Sequence, residues 1–275
     1  MKKVIICGLI FSTMLLLACN KTNLSSEVSE SVSETINQEE SHASSVDLTD
    51  NNEGQGVMDN LESEEYFDLE FKITDNPRIA ELLNVSGTYT DSVGNVDNYH
   101  YQIPQFNADS ESAKALNERI MYDIVDIIQD EFFSMDEGYS LFCYNITYEV
   151  IENGEIVAIL VSVPYPNDCV EYYAYTYDFE QDKEISNSEM LAMHGWTEEA
   201  FVEEACRREK EHFESQISDM YSDMTAEDVD YFIQSAADAT TVDLPMYIGV
   251  DGVLYVYLPM PSLAGADWYY RLEQF

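Results

Sequence analysis

Residues 139–179 contain the strongest local signal for the fold, in the sequence YSLFCYNITYEVIENGEIVAILVSVPYPNDCVEYYAYTYDF. It predicts two strands, over residues 139–150 and 155–163, on either side of Asn153-Gly154. Asn-Gly favours a tight type I′ hairpin turn, because both residues tolerate positive φ. A proline-rich turn then leads into a third strand over residues 170–179. We therefore expect an antiparallel meander of three consecutive strands.

Upstream of the meander, the pattern predicts two strands and one long helix. Residues 66–74 alternate between apolar and polar side chains, which is typical of a strand with one buried face. Residues 96–106 are predicted as a second strand, and Pro104 near its end indicates an edge or the exit of the chain from the sheet. Asp109 offers an N-cap to a helix whose leucines and isoleucines recur at steps of three and four. We interpret three acidic side chains on the opposite face of this helix as solvated: Asp123, Asp126 and Asp130.

Downstream of the meander, two helices are followed by short strands. The helices begin at Thr197 and Thr225, each of which offers a side-chain oxygen as an N-cap. Strands are predicted over residues 245–250, 253–258 and 267–272. Because strands, helices and strands follow one another without a regular βαβ alternation, the predicted class is α+β, with antiparallel sheets and a central meander packed against several helices.

The chain is strongly acidic. Its 275 residues carry 54 aspartates and glutamates against 12 lysines and arginines, a formal net charge of −42. Such a surface repels a phosphate backbone, so nucleic acid is excluded as a partner, and adsorption to anionic lipid by charge alone is disfavoured. The charge either serves solubility or steers a cationic partner to the surface, and the sequence leaves both interpretations open. Hydrophobic residues make up 45% of the chain, which excludes disorder throughout.

Residues 1–19 have the features of a bacterial lipoprotein signal. Lys2 and Lys3 precede an apolar run that is too short to span a bilayer comfortably, and the run ends in LLAC, residues 16–19. Small residues before a cysteine let the signal peptidase approach, so Cys19 is the predicted lipidation site. Two acyl chains there would anchor the protein stably to the outer face of the bacterial cell membrane. The alternative is an ordinary secretory signal that happens to end in cysteine.

Residues 20–65 are predicted to be a disordered tether. The segment holds nine serines, twelve acidic residues, one lysine and no aromatic residue. It cannot bury enough apolar surface to offset its ordering entropy, and its like charges repel one another and extend it.

No motif for catalysis or metal binding is visible in the sequence. The four histidines do not share metal-ligand spacing, and neither HExxH, GxSxG nor a glycine-rich phosphate loop occurs. We therefore expect no cofactor and no metal. The thiols of Cys143, Cys169 and Cys206 are interpreted as buried, and whether two of them form a disulfide is left open.

Tyrosine is abundant, with 20 copies, and several tyrosines share one face of a predicted strand. Tyr173 and Tyr175 are two residues apart in the third strand of the meander, and Tyr255 and Tyr257 alternate in the same way further along the chain. Such rings either cover the helices in the core or form a recognition face for a sugar or a protein. The sequence leaves both interpretations open.

The order of several short motifs resembles the PdaC/RsiV-like extracytoplasmic module, which combines DUF4163 and DUF3298. The first motifs are YQIPQF at residues 101–106, the helix with Asn117, and the hairpin with Tyr144 and Tyr148. YDF at 177–179 with QDK at 181–183 resembles the family pattern fDl-x-TGK, and MYIGVDGVL at 246–254 resembles its dGl strand pair. The resemblance spans residues 66–275 and divides them into a DUF4163-like part, 66–168, and a DUF3298-like part, 169–275.

In relatives this module lies outside the membrane, either on an anti-sigma factor that binds lysozyme or beside the catalytic domain of peptidoglycan deacetylases. The resemblance therefore implies recognition of lysozyme, of peptidoglycan, or of both. The present sequence shows neither the anti-sigma segment nor the deacetylase domain. Family members tend to carry Pro-Tyr after the dGl strand, in the part that contacts lysozyme; here Pro259 matches and Met260 stands in place of the tyrosine.

Together these inferences predict a lipid-anchored surface protein whose module is a non-catalytic recognition domain. The expected ligand is a lysozyme-like cationic protein or peptidoglycan. The expected ligand-binding residues are Tyr255, Tyr257, Pro259, Tyr173 and Tyr175. The alternative is a peptidoglycan-modifying enzyme or an accessory subunit of a deacetylase.

Overall fold

Ten strands and four helices make up the part of the chain that a computed structural model describes, residues 69–166, 169–220, 224–261 and 268–275. All of these residues belong to one unit, Gly56–Phe275. The predicted signal segment with Cys19, the predicted tether and residues 66–68 lie outside the described residues, and what the sequence indicates for them stays a prediction.

Seven strands form the first sheet and lie side by side in chain order. They are β1 (Lys72–Ile73), β2 (Ile79–Thr90), β3 (Val96–Phe106), β4 (Asn145–Asn153), β5 (Ile156–Pro164), β6 (Val170–Asp178) and β7 (Lys183–Glu184). Neighbouring strands are antiparallel except β3 and β4, which run parallel and are connected by helix α1 (Glu111–Asp136). The predicted meander is confirmed as β4–β5–β6, and so is the α+β class.

The hairpin between β4 and β5 turns one residue later than predicted. Asn153 pairs with Ile156, so the two loop residues are Gly154 and Glu155. Gly154 has a φ of 65°, whereas neither Asn153 nor Glu155 has a positive φ. Glycine with positive φ at the first central position marks a type II′ turn, so the predicted type I′ turn is wrong.

Strand β2 is not predicted by the sequence pattern, although it has 12 residues. A bulge between Glu81 and Leu83 leaves Leu82 and Leu83 both buried although they are consecutive. The alternation that marks a strand is broken at that point. Within the segment predicted as the first strand, 66–74, the described residues form only the short β1.

Helix α1 covers one face of the first sheet. Ser110 caps it, one residue after the predicted cap Asp109. Its apolar stripe is buried as predicted and belongs to the same core as the rings of Tyr175 and Tyr177. The stripe includes Leu116, Ile120, Ile124 and Ile128.

A second sheet of three strands packs against three helices. The strands are β8 (Met246–Ile248), β9 (Leu254–Pro261) and β10 (Trp268–Gln274), with β9 in the middle. The helices are α2 (Asn187–Met193), α3 (Glu198–Met220) and α4 (Ala226–Ala239). The capping box predicted at Thr225 and Asp228 is confirmed at the start of α4, and α3 begins directly after Thr197 as predicted.

Strand β9 is buried on both faces. Leu254, Val256 and Leu258 join the core that the helices cover. Tyr257 points the other way and stacks on Tyr172 of β6, with the ring centroids 4.0 Å apart. The two sheets therefore meet through this pair of rings.

The turn between β6 and β7 holds a non-glycine residue in the left-handed region. Asp182 has a φ of 53°, and its carboxylate accepts a hydrogen bond from the Tyr177 hydroxyl. Glycine adopts such a φ without steric cost, whereas aspartate is strained there. The hydrogen bond from Tyr177 helps to offset that strain.

None of the described helices is long and apolar enough to cross a membrane. Cys143 and Cys206 carry free thiols. Cys143 is buried as predicted, and burial raises the pKa of its thiol to about 12. This thiol is therefore unreactive at neutral pH. Cys169 and Cys206 are only half-buried, so the prediction of burial is wrong for these two.

Candidate binding cleft

A cleft of about 420 Å³ lies beside β6, where that strand runs past the end of β7. Helix α1 contributes Arg119 and Asp123, and β6 contributes residues 172–175. The other walls are Glu184, residues 186–188 at the start of α2, and residues 242–245 in the loop that leads into β8. The cleft therefore borders the first sheet, two helices and the entrance to the second sheet.

The backbone N–H and C=O groups of successive residues in β6 point alternately to the two sides of the strand. Phe179 N–H donates to Glu155 O at 2.9 Å, and Tyr165 N–H donates to Cys169 O at 2.7 Å, so the odd-numbered residues exchange hydrogen bonds with β5. The N–H and C=O groups of the even-numbered residues point to the opposite side. There Ile185 N–H donates to Thr176 O at 2.9 Å.

The pairing on this outer side stops early. Strand β7 pairs only with Tyr177 and Asp178, and Ser186 then caps α2 and takes the chain away from the sheet. Within the described ranges, no backbone group pairs with the outward N–H and C=O groups of Tyr172 and Ala174. Both residues line the cleft, so this part of β6 is an open edge inside it.

Acidic side chains dominate the charge of the cleft. Asp123, Glu184 and Asp243 line it against one base, Arg119. Arg119 Nη2 lies 2.6 Å from Glu184 Oε1, and the guanidinium lies 5.6 Å from the ring centroid of Tyr175. Because this arginine is already held, the cleft presents excess negative charge to a ligand. Across the residues that the structure describes, no group of three or more His, Cys, Asp or Glu side chains is placed to hold a metal ion.

Carboxylates accept hydrogen bonds from the hydroxyls of two tyrosines in the cleft. Tyr175 O–H donates to Asp123 Oδ2 at 2.8 Å, and Tyr173 O–H donates to Glu171 Oε2 at 3.1 Å. Burial first, and the neighbouring carboxylates second, raise the pKa of both phenols, so both hydroxyls stay protonated at neutral pH. Asp123, interpreted from the sequence as solvated, is a half-buried hydrogen-bond acceptor in the wall of the cleft.

The predicted ligand-binding residues lie in two places. Tyr173 and Tyr175 line the cleft. Tyr255, Tyr257 and Pro259 lie on β9 and are not part of its lining. Tyr257 is 9% exposed and faces the first sheet, and Pro259 is buried.

Tyr172 connects these two places. It lines the cleft, and its ring stacks on Tyr257 and meets Tyr270 edge-on at 5.9 Å. Alternation alone puts Tyr172 on the face opposite Tyr173. Both reach the cleft only because the edge of β6 is open between them, and no pattern in the sequence signals that.

Asn187 fixes the loop on the far side of the cleft. Its Nδ2 donates to Val242 O at 2.8 Å and to Leu244 O at 3.0 Å. These bonds hold the backbone around the exposed Asp243 in place. The contact joins residues more than fifty positions apart, so no local pattern in the sequence signals it.

No family model matches the chain, and no curated protein matches it. Among solved structures, the chain is similar to a member of the DUF3298 family from Bacteroides fragilis. The two share 9% sequence identity, the alignment covers 70% of this chain and 89% of that chain, and the TM-score is 0.33. DUF3298 is one of the two families in the resemblance described above.

Proposed function

We propose that this protein is a lipoprotein at the outer face of the bacterial cell membrane, anchored through Cys19, whose folded module binds a cationic protein such as lysozyme. The observation that carries the proposal is the cleft beside β6, which combines tyrosine rings with an excess of carboxylates. Tyrosine provides a large contact area at low entropic cost, and carboxylates complement lysine and arginine. The module acts by binding and performs no chemical step.

Charge supports the same ligand class. A net charge of −42 attracts a cationic protein over a distance, and Asp243 lines the cleft and is exposed. The resemblance to the PdaC/RsiV-like module points to lysozyme or peptidoglycan. Of these two, lysozyme is the one whose charge matches the cleft.

Calorimetric titration of the full chain, held in non-ionic detergent, with lysozyme tests the proposal. One titration is made at about 150 mM salt and a second at about 1 M, where charges more than about 3 Å apart are screened. Saturable binding at both concentrations supports a specific interface. Absence of binding at the lower concentration, or its complete loss at the higher one, contradicts the proposal.

A matched pair of variants separates local from global charge. Asp243→Asn removes a carboxylate from the cleft, and Asp230→Asn removes the same charge from the exposed face of α4. Stopped-flow mixing with lysozyme should show a slower association rate for Asp243→Asn than for Asp230→Asn. Equal rates for the two variants would mean that the cleft is not where lysozyme arrives.

Washed peptidoglycan sacculi provide an independent arm. If the chain is retained on sacculi but does not bind lysozyme, the ligand is peptidoglycan and the proposed ligand is wrong. Release of acetate or of altered muropeptides from the sacculi would contradict the non-catalytic role.

A further inference from the structure

We infer that the open edge of β6 is a pairing site for an extended, basic backbone segment of the partner, which adds a strand to the first sheet at Tyr172 and Ala174. The inference rests on the proposed function for the sign of the partner's charge. It goes further in naming the backbone as the recognised group.

The geometry of the edge carries the inference. Tyr172 and Ala174 each direct one N–H and one C=O away from β5 and into the cleft, where β7 no longer covers them. A strand placed about 4.8 Å from β6 would lie on the same side as β7 and would pair with the part of β6 that β7 does not reach. Antiparallel pairing there would form up to about four backbone hydrogen bonds, which is the pattern of peptide recognition by strand addition.

The walls of the cleft decide which side chains such a segment carries. Helix α1, with Asp123, lies over the face of β6 that Tyr175 occupies. The loop with Asp243 leads into the second sheet, which packs on the opposite face through Tyr172. Successive side chains of a paired strand alternate between these faces. Two adjacent basic residues would therefore meet one carboxylate each.

Charge excludes two other occupants of the edge. The chain's own segment 20–65 carries twelve acidic residues and one lysine, so the cleft repels it. A second copy of the chain, pairing edge to edge, would bring two clefts with the same excess of carboxylates together. A basic segment of a different protein is the occupant that the charges favour.

Hydrogen exchange measured by NMR on the full chain tests the inference directly. The probe is a six-residue peptide, acetylated and amidated, with two adjacent lysines at its centre and threonine elsewhere. On binding, the amides of Tyr172 and Ala174 should exchange at least about tenfold more slowly, because they gain hydrogen-bond partners. The amides of Tyr173 and Tyr175 already bond to β5 and should not change. Unchanged exchange at Tyr172 and Ala174 under saturating peptide would overturn the inference.

A modified peptide separates backbone pairing from charge attraction. N-methylation of the backbone amide nitrogens of both lysines removes their N–H donors, while the two positively charged side chains remain. Successive N–H groups of a strand point to opposite sides, so one of the two methylations blocks a donor that faces β6. This peptide should bind at least about tenfold more weakly, which corresponds to the loss of about one hydrogen bond. Equal affinity of the two peptides would show that charge alone holds them, and the inference would be wrong.

A variant tests the protein side of the same bond. Ala174→Pro removes an outward N–H without removing a hydrogen bond to β5, which is the position where an edge strand tolerates proline. Ala174→Val has similar bulk and keeps the N–H. The proline variant should lose peptide binding about tenfold relative to the valine variant. If the proline variant does not fold, the exchange and methylation measurements on the unmodified chain decide.

The two proposals fail in different ways. If lysozyme binds but the peptide protects neither Tyr172 nor Ala174, the edge inference is wrong and the proposed function stands. If the peptide protects both amides but lysozyme does not bind at either salt concentration, lysozyme is the wrong partner and the edge remains the pairing site.

Discussion

Tyr172 of β6 and Tyr257 of β9 stack with an interplanar angle of 19° and a centroid distance of 4.0 Å. The pair joins the two sheets at the border of the cleft. Tyr257 is committed to this contact, since only 9% of it is exposed, whereas Tyr172 also lines the cleft. A ligand in the cleft therefore contacts Tyr172 directly, and Tyr257 affects that ligand only by holding the ring of Tyr172 in place.

Replacing Tyr257 should affect stability before it affects binding. Tyr257→Ala deletes a buried ring and should lower the free energy of unfolding by about 3 kcal/mol. Tyr257→Phe keeps the ring stack and should cost less than about 1 kcal/mol. Urea unfolding followed by circular dichroism measures both. Near-native stability of the alanine variant would mean that the stack does not hold the sheets together.

Glu131 of α1 should be essential for the segment that leads into β4. It is 4% exposed, and its carboxylate accepts from Phe142 N–H at 2.9 Å and from Cys143 N–H at 2.7 Å. Glu131→Ala leaves these donors without an acceptor and should cost about 2 to 3 kcal/mol. Glu118→Ala, on the exposed face of the same helix, is the control and should stay within about 0.5 kcal/mol. Equal urea midpoints for the two variants would contradict the assigned role.

Glu209 of α3 is a buried residue whose carboxyl group stays protonated to a higher pH than an exposed carboxyl group does. It is 1% exposed, and burial raises its pKa to about 7. Both carboxyl oxygens lie 2.7 Å from Thr240 Oγ1, which also lies 2.9 Å from Ala236 O. The single hydroxyl hydrogen of Thr240 cannot serve both acceptors. A protonated Glu209 donates to Thr240 and frees that hydrogen for Ala236.

Stability should therefore fall as the pH rises through this pKa. The folded state holds the Glu209 proton up to a pH of about 7, whereas the unfolded chain releases it near 4.5. The free energy of unfolding should thus decrease between these values, by about 3 kcal/mol from this group, and level off above them. Glu209→Gln should be the more stable protein at pH 8 and should lack this part of the slope. Parallel profiles for the two proteins in urea unfolding from pH 5 to pH 8 would contradict the assignment.

Asp182 should tolerate asparagine better than alanine. Its φ of 53° lies where a residue with a β-carbon is strained, and Asn and Asp accept that region more easily than most residues. Asp182→Ala keeps the strain and loses the Tyr177 hydrogen bond, so it should cost about 2 kcal/mol. Asp182→Asn keeps an acceptor and should cost less than about 1 kcal/mol. A thermal melt that ranks the two variants in the opposite order would refute this account of the turn.

Local pattern predicts the elements whose side chains alternate without interruption. Strand β3 has the predicted bounds, Val96–Phe106, and the side chains at its centre, residues 99–103, alternate between apolar and polar. The meander follows from the turn residues and from the apolar strands that flank them. Strand β2 lacks a clear alternation because the bulge after Glu81 shifts it by one residue.

The cleft is only partly predictable for a different reason. The period of two brings Tyr173 and Tyr175 to one face, and both line the cleft. The open edge beside them depends on where β7 ends, and that is set by the cap at Ser186 and by contacts between distant segments. No local pattern encodes such an end. The side-chain oxygen of Asp123 acquires its role in the same way, from a tyrosine 52 positions away.

Strand β9 should tolerate few substitutions, because it is buried on both faces. Leu254, Val256 and Leu258 fill the core under the helices, whereas Tyr257 faces the first sheet and Pro259 is buried two residues further along. A slip of one residue would place tyrosine and proline where aliphatic side chains pack. Most substitutions there would be eliminated as folding defects. Asp243, exposed in the loop before β8, is under no such packing constraint. Diversification of ligand preference would therefore accumulate around the cleft while β9 stays unchanged.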